Sequence, residues 1–346
     1  MKSIRAWSLV LTMGAALLAP PAQAGVVFGM DPTGLTGGVF RWDAAARTID
    51  GNERSLDGGL RYSMSGGSFE AFRDRFTWSG AAPTVAAFTQ AVQDSFAAWA
   101  SVDPVTGLGT ALSFVADLGT SVQGVAGGGI DINGAEIDLI ATADARFWNV
   151  GDNGLQGETW FNGIGSPVTL TSGVANYAHS RAISGADVYL NSNSGAAYTL
   201  DIFQRLLTHE LGHALGLGDV EGDINPGSFI DDNFSAADPA GTMSNSWALL
   251  VDPFDPSSSA GLQRYGIGAS STAAGVNLLM ESRGLGISAA LPLGTAVPLT
   301  NDEYGTRQFL YPELQRAEAL PEPGSLALVG LALAGLAAGR RPSRRG

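Results

Sequence analysis

Cysteine is absent from the 346 residues. That excludes disulfides, thiolate metal sites and thiol nucleophiles. Lysine is almost absent: Lys2 is the only one, and every other basic residue is arginine. Acidic side chains outnumber basic ones 33 to 19, for a net charge of −14. A chain of that sign repels phosphate, so nothing in the composition points to nucleic acid and none is expected as a partner. Histidine is scarce as well, with only His179, His209 and His213. Any metal centre must therefore draw on those three, on Asp or Glu, or on backbone oxygen. No period of roughly 20–50 residues repeats along the chain.

The two ends do not read as fold. In residues 1–24, Lys2 and Arg5 make a positive start, Trp7 to Leu18 an apolar run, and Ala22-Gln23-Ala24 a small-residue cleavage site. That order is a secretory signal peptide, with the mature chain starting near Gly25. At the other end, Pro321-Glu322-Pro323-Gly324 precedes the apolar stretch Ser325–Ala338 and the arginines 340, 341, 344 and 345. The stretch is short for a membrane span of about 17–25 residues. The arginines behind it favour retention on the cytoplasmic side. Residues 321–346 resemble the PEP-CTERM sorting signal of Gram-negative bacteria. The resemblance implies export, transient inner-membrane anchoring through a transmembrane segment, cleavage by an exosortase-type enzyme and a final extracellular or cell-surface location. Between the two addresses, residues 25–320 hold 13 basic and 32 acidic side chains, a net charge of −19.

In that body, Val39–Trp42 and Leu60–Met64 read as strands. Val85, Phe88, Val92, Phe96 and Trp99 recur at intervals of three and four, which predicts a helix over 84–100 with Pro83 at its start. Leu112–Ala116, Glu136–Ala141 and Ala186–Leu190 are further strand candidates. Residues 144–180 have no clear period and are expected to form a long loop. Tyr198–Leu215 reads as a second long helix.

That helix carries His209-Glu210-Leu211-Gly212-His213-Ala214-Leu215-Gly216-Leu217-Gly218-Asp219. Histidines four apart stack on one helix face, where both can reach one Zn2+. Glu210 between them is placed to take a proton from water. Glycine tolerates positive φ, so Gly216 lets the chain turn and bring Asp219 back as a third, oxygen ligand. Glu221 and Asp223 are the alternatives for that third place. Three protein ligands leave a position open, which is the catalytic arrangement.

His209-Glu210-x-x-His213-x-x-Gly216-x-x-Asp219 resembles the zinc motif of the metzincin peptidases. Aspartate in place of the usual third histidine resembles the snapalysin-type variant. The resemblance implies an α+β fold: a twisted mixed sheet of four to five strands, two long helices (one bearing the motif), a methionine turn and a C-terminal helix. Met243, in Gly241-Thr242-Met243-Ser244, is the expected turn methionine. Residues 299–311 resemble the terminal helix, with Thr300 and Glu303 as a capping box. One domain over 25–320 follows, with an insertion at about 245–298. Without cysteine, the thiol–zinc latency of the matrixins is absent.

The implied activity is that of a secreted zinc endopeptidase. His209, His213 and Asp219 hold the metal, Glu210 is the general base, and Ala186, Asp187, Val188, Tyr189 and Leu190 form the sheet edge that pairs with a peptide substrate. A non-catalytic surface or matrix protein of the same fold is the main alternative, and a zinc hydrolase of cell-wall amides a third. His179 has no histidine left to partner it and reads as a surface residue, with a second metal ligand or a substrate contact as the alternatives. Asp131, Asn133, Glu136 and Asp138, Asp152, Asn153 and Glu158, and Asp231, Asp232 and Asn233 are oxygen-rich clusters able to bind a structural Ca2+. None has EF-hand spacing, and solvated acidic loops are the alternative.

Overall fold

The structure, a computed structural model, describes residues 24–28, 39–102, 109–120, 122, 134–144, 156–170, 173, 175, 180–219, 228–230, 264–266, 279–280, 299 and 301–312. In chain order the elements are β1 (Ala24–Val27), β2 (Phe40–Arg41), β3 (Thr48–Ile49), β4 (Asn52–Glu53), β5 (Leu60–Met64), α1 (Phe69–Arg73), β6 (Thr77–Trp78) and α2 (Val85–Ala100). They continue with β7 (Phe114–Ala116), β8 (Ile137–Thr142), β9 (Gly157–Pro167), β10 (Arg181–Asn191), β11 (Ala197–Tyr198), α3 (Leu200–Ala214), β12 (Leu217–Gly218), β13 (Ser228–Ile230), β14 (Arg264–Gly266) and α4 (Asn301–Leu310).

The main sheet runs β7, β5, β8, β10, β9. Its pairings are parallel except the last, where β9 lies antiparallel to β10. The short β2 pairs with the first two residues of β10. Alternation sorts the side chains. Leu60, Tyr62, Met64, Ile137, Leu139, Val188 and Leu190 are buried in one apolar core with the two long helices, as a period of two requires of a sheet covered on that face.

Helix α2 starts where Thr84 Oγ1 accepts the Ala87 amide at 3.1 Å, an ordinary N-cap. Phe88, Val92, Phe96 and Trp99 are buried along its inner face. Val85, in the first turn, instead faces solvent. Helix α3 is capped by Thr199 through the Ile202 amide. It ends at Leu215, because Gly216 adopts φ +98°, the left-handed conformation that closes helices. A Cβ on residue 216 would overlap the Phe40 carbonyl oxygen, so glycine is needed there for space as well as for φ.

Two expectations are corrected. Residues 144–180 are not one long loop: 157–167 form the eleven-residue strand β9. Its Gly, Asn and Thr content and weak alternation hid it, since an edge strand needs only one apolar contact row. Ala186–Leu190 is not a sheet edge. Val188 stands between Leu139 of β8 and Thr159 of β9, so β10 is interior. Among the described residues β9 is the edge strand on that side of the sheet, and β7 the edge on the other.

Among the described residues no helix is long and apolar enough to cross a membrane. Of the expected signal peptide, residues 1–23 lie outside the described residues, as does the C-terminal segment 321–346.

Candidate metal centre

The last two turns of α3 put His209 and His213 on one face, with ring centroids 4.7 Å apart and planes at 89°. Each ring is oriented by its Nδ1. His209 Nδ1 lies 2.6 Å from the Leu279 carbonyl oxygen, and His213 Nδ1 lies 2.9 Å from that of Leu217. A carbonyl oxygen only accepts, so each Nδ1 carries a proton. In the neutral rings both Nε2 atoms are then bare lone pairs, the state a metal ligand needs.

The turn at Gly216 brings Asp219 back to these two nitrogens. Asp219 Oδ1 is 3.3 Å from His209 Nε2 and 3.2 Å from His213 Nε2, and the two nitrogens are 3.1 Å apart. Ligands at tetrahedral positions about 2.0–2.2 Å from Zn2+ stand roughly 3.3–3.5 Å from one another. The observed triangle is within a few tenths of an ångström of that. Asp219 Oδ1 is also buried without a well-aligned hydrogen bond. The donor set therefore fits a divalent ion of zinc's size and ligand preference. Among the described residues it is the one group of three such side chains close enough to share an ion.

Without an ion the three behave as an ion-paired cluster. Burial disfavours the charged form of His213, but the Asp219 carboxylate outweighs it and pushes the ring up to about 9. His209 shifts up as well, against its burial, through the same carboxylate. Asp219 is driven below the usual carboxylate range, its burial outweighed by the two rings.

Glu210 is buried on the neighbouring face. Burial raises its proton affinity, and the two imidazoles partly oppose that. Thr159 of β9 fixes it: the hydroxyl lies 2.8 Å from Glu210 Oε2 and 3.0 Å from the Glu210 carbonyl oxygen. Gly157 makes room, because a Cβ there would overlap Glu210 Oε1. Phe28, Gly157, Leu206, Glu210 and the triad line a cleft of about 290 Å3.

The helix is held from behind by side chains that the motif alone does not name. Trp99 Nε1 donates to the Thr208 carbonyl at 2.8 Å, Trp42 Nε1 to that of Ala214 at 3.0 Å, and Tyr311 Oη to that of Leu215 at 2.6 Å. The last two satisfy C-terminal carbonyls that a helix otherwise leaves open. Met280 packs against Gly212, where a Cβ would overlap its Sδ and the Trp99 ring. The Met280 amide donates to Glu303 Oε1 at 3.1 Å, so Glu303 anchors this turn through its side chain.

Met243 lies outside the described residues, as do Glu221, Asp223, His179 and Thr300. The methionine that the described chain seats beneath the motif helix is Met280, beside the Leu279 carbonyl that orients His209. The run Leu278-Leu279-Met280 ahead of the last helix was the available signal. Of the oxygen clusters, Glu136 accepts from Arg61, with contacts of 2.7 to 3.0 Å, and Asp138 accepts from the Ser63 hydroxyl. Asp131, Asn133, Asp152, Asn153 and residues 231–233 are outside the described residues.

Residues 319–345 match the family model of the PEP-CTERM protein-sorting motif. The chain thus carries a signal for export and membrane-associated sorting in Gram-negative bacteria, recognised by an exosortase-type enzyme. No curated protein matches the chain.

Proposed function

We propose that this protein is an exported, zinc-dependent endopeptidase with a metzincin-like domain. The observation that carries the proposal is the triangle of His209 Nε2, His213 Nε2 and Asp219 Oδ1, edges 3.1 to 3.3 Å, beside a buried glutamate that lines the same cleft. The mixed sheet with two long helices and a methionine under the motif helix supports the fold part of the reading.

His209, His213 and Asp219 would hold the metal. When bound, Zn2+ supplies a Lewis acid that polarises a peptide carbonyl and eases the deprotonation of water. Glu210 supplies the base. Thr159 engages Oε2, which leaves Oε1 to accept a proton from water and pass it to the departing amine. Burial raises the proton affinity of Glu210, which suits a group that must take a proton and then release it. An extended substrate pairs with the free edge of β9, whose Gly157 and Thr159 border the cleft, by strand addition. The sorting motif, a signal for export, supports a reading in which this chemistry acts outside the cytoplasm.

The test is metal content with cleavage of a mixed peptide library by the purified chain. One Zn2+ per chain, cleavage lost on chelation and regained on adding Zn2+ is the expected result. A zinc-loaded chain that cleaves no peptide would favour a non-catalytic surface protein.

A further inference from the structure

Asp219 differs from the two histidines in what places it. Each ring is anchored from outside the triad through its Nδ1, whereas Asp219 Oδ1 has no well-aligned hydrogen bond and faces the two rings it would share the ion with. Its position is therefore inherited from the main chain just before it. Residues 216–218 are held from two sides. From the helix side, the Leu217 carbonyl receives His213 Nδ1. From the other side comes β1, near the start of the chain. Val27 pairs with Leu217 and Val26 with Gly218 in antiparallel register. The Phe28 amide then donates to the Gly216 carbonyl at 2.9 Å.

Phe28 adds a side-chain contact. Its ring centroid lies 5.7 Å from that of His213 and 5.3 Å from that of Phe161 on β9. The Phe28 carbonyl receives the Phe40 amide at 3.1 Å, and Val27 is fully buried. So the stretch 26–28 touches the turn, one histidine and the edge strand at once.

We infer that residues 26–28 form a strap that positions the third ligand, with Phe28 as its key positioning residue. The inference rests on the metal reading of the triad. It also ties the completeness of the metal centre to residues bordering the expected leader cleavage site, so a chain trimmed past Phe28 would have a weakened third ligand.

The experiment measures Zn2+ affinity by competition with a chromophoric chelator, on the full-length chain and on Phe28→Pro, Phe28→Ala and Asp219→Ala variants. Proline removes both the ring and the amide donor, and alanine removes the ring alone. Outer partners of ligands are commonly worth about 10–100-fold in affinity. Phe28→Pro is expected to weaken Zn2+ binding about tenfold or more, and Phe28→Ala by less. In the Asp219→Ala background, Phe28→Pro should add little, because residues acting through one another are not additive. Far-UV circular dichroism of the metal-free chains checks folding. Should the proline variant fail to fold, the same comparison is read on Phe28→Ala. Equal affinity of the variants and the wild type overturns the strap, as does an equal loss with and without Asp219. A wild-type chain that binds no Zn2+ overturns the metal reading beneath it.

Discussion

At the scale of single residues, Glu210 is shaped by what stands beside it. Thr159 and Gly157, two residues apart on one strand, bind its carboxylate and leave it space. Gly157→Ala forces the carboxylate to move, so kcat on a peptide should fall by about tenfold or more, as displaced catalytic groups do. Zn2+ affinity should hardly change, because Gly157 touches no ligand atom. Steady-state kinetics together with a zinc titration check both halves. The triad also predicts a pH dependence. His213 is raised from 6.5 to about 9 in the metal-free chain. Its pairing with Asp219 thus stabilises that chain fully below about pH 6.5 and fades as pH rises through about 9. The depressed Asp219 contributes above its ordinary value of 3.8 and loses its effect as pH falls toward its lowered folded value. Zn2+ must displace the His213 proton, so apparent affinity should climb from pH 6 toward pH 9, with proton release on binding. Calorimetry in buffers of different ionisation enthalpy measures that release. No release at pH 7 would contradict the ion-paired triad.

At the scale of elements, Gly216 decides whether Asp219 returns to the two histidines. With φ at +98° and the Phe40 carbonyl where a Cβ would stand, Gly216→Ala should cost about 1–3 kcal/mol. It should also weaken Zn2+ binding, as read by denaturant unfolding and zinc titration. This turn was legible in the sequence, because a glycine three residues after the second histidine has few other uses. Helices α2 and α3 were legible for a similar reason: their apolar faces repeat over three or more turns. Strand β9 was not, because it is held by backbone pairing to β10 along its length and its side chains follow no apolar rhythm. Missing β9 made Ala186–Leu190 look like the edge. Thr159 and Gly157 were missed for the same reason. Met280 escaped notice because its role comes from the space Gly212 leaves in a helix 68 residues earlier, which no local pattern encodes.

At the scale of the whole molecule, the chain joins an address to a cleft. Residues 319–345 carry the sorting motif, and α4 just before it is tied into the fold. Arg307 donates to the Trp99 and Ser101 carbonyls, and Arg41 Nη1 to those of Phe309 and Leu310 at 3.0 and 2.9 Å. The triad's three residues all precede the tail by 100 positions or more. Deleting 319–346 should therefore leave Zn2+ binding and peptide cleavage intact and abolish sorting to the cell surface, as followed by fractionation and zymography. The central claim is that Glu210 moves the proton while the triad holds the metal. The most direct measurement is a comparison of wild type and Glu210→Gln for bound Zn2+ and for cleavage of an unfolded protein. Equal zinc content with cleavage down by about 100-fold or more is the predicted result. Undiminished cleavage by the Gln variant would contradict the account.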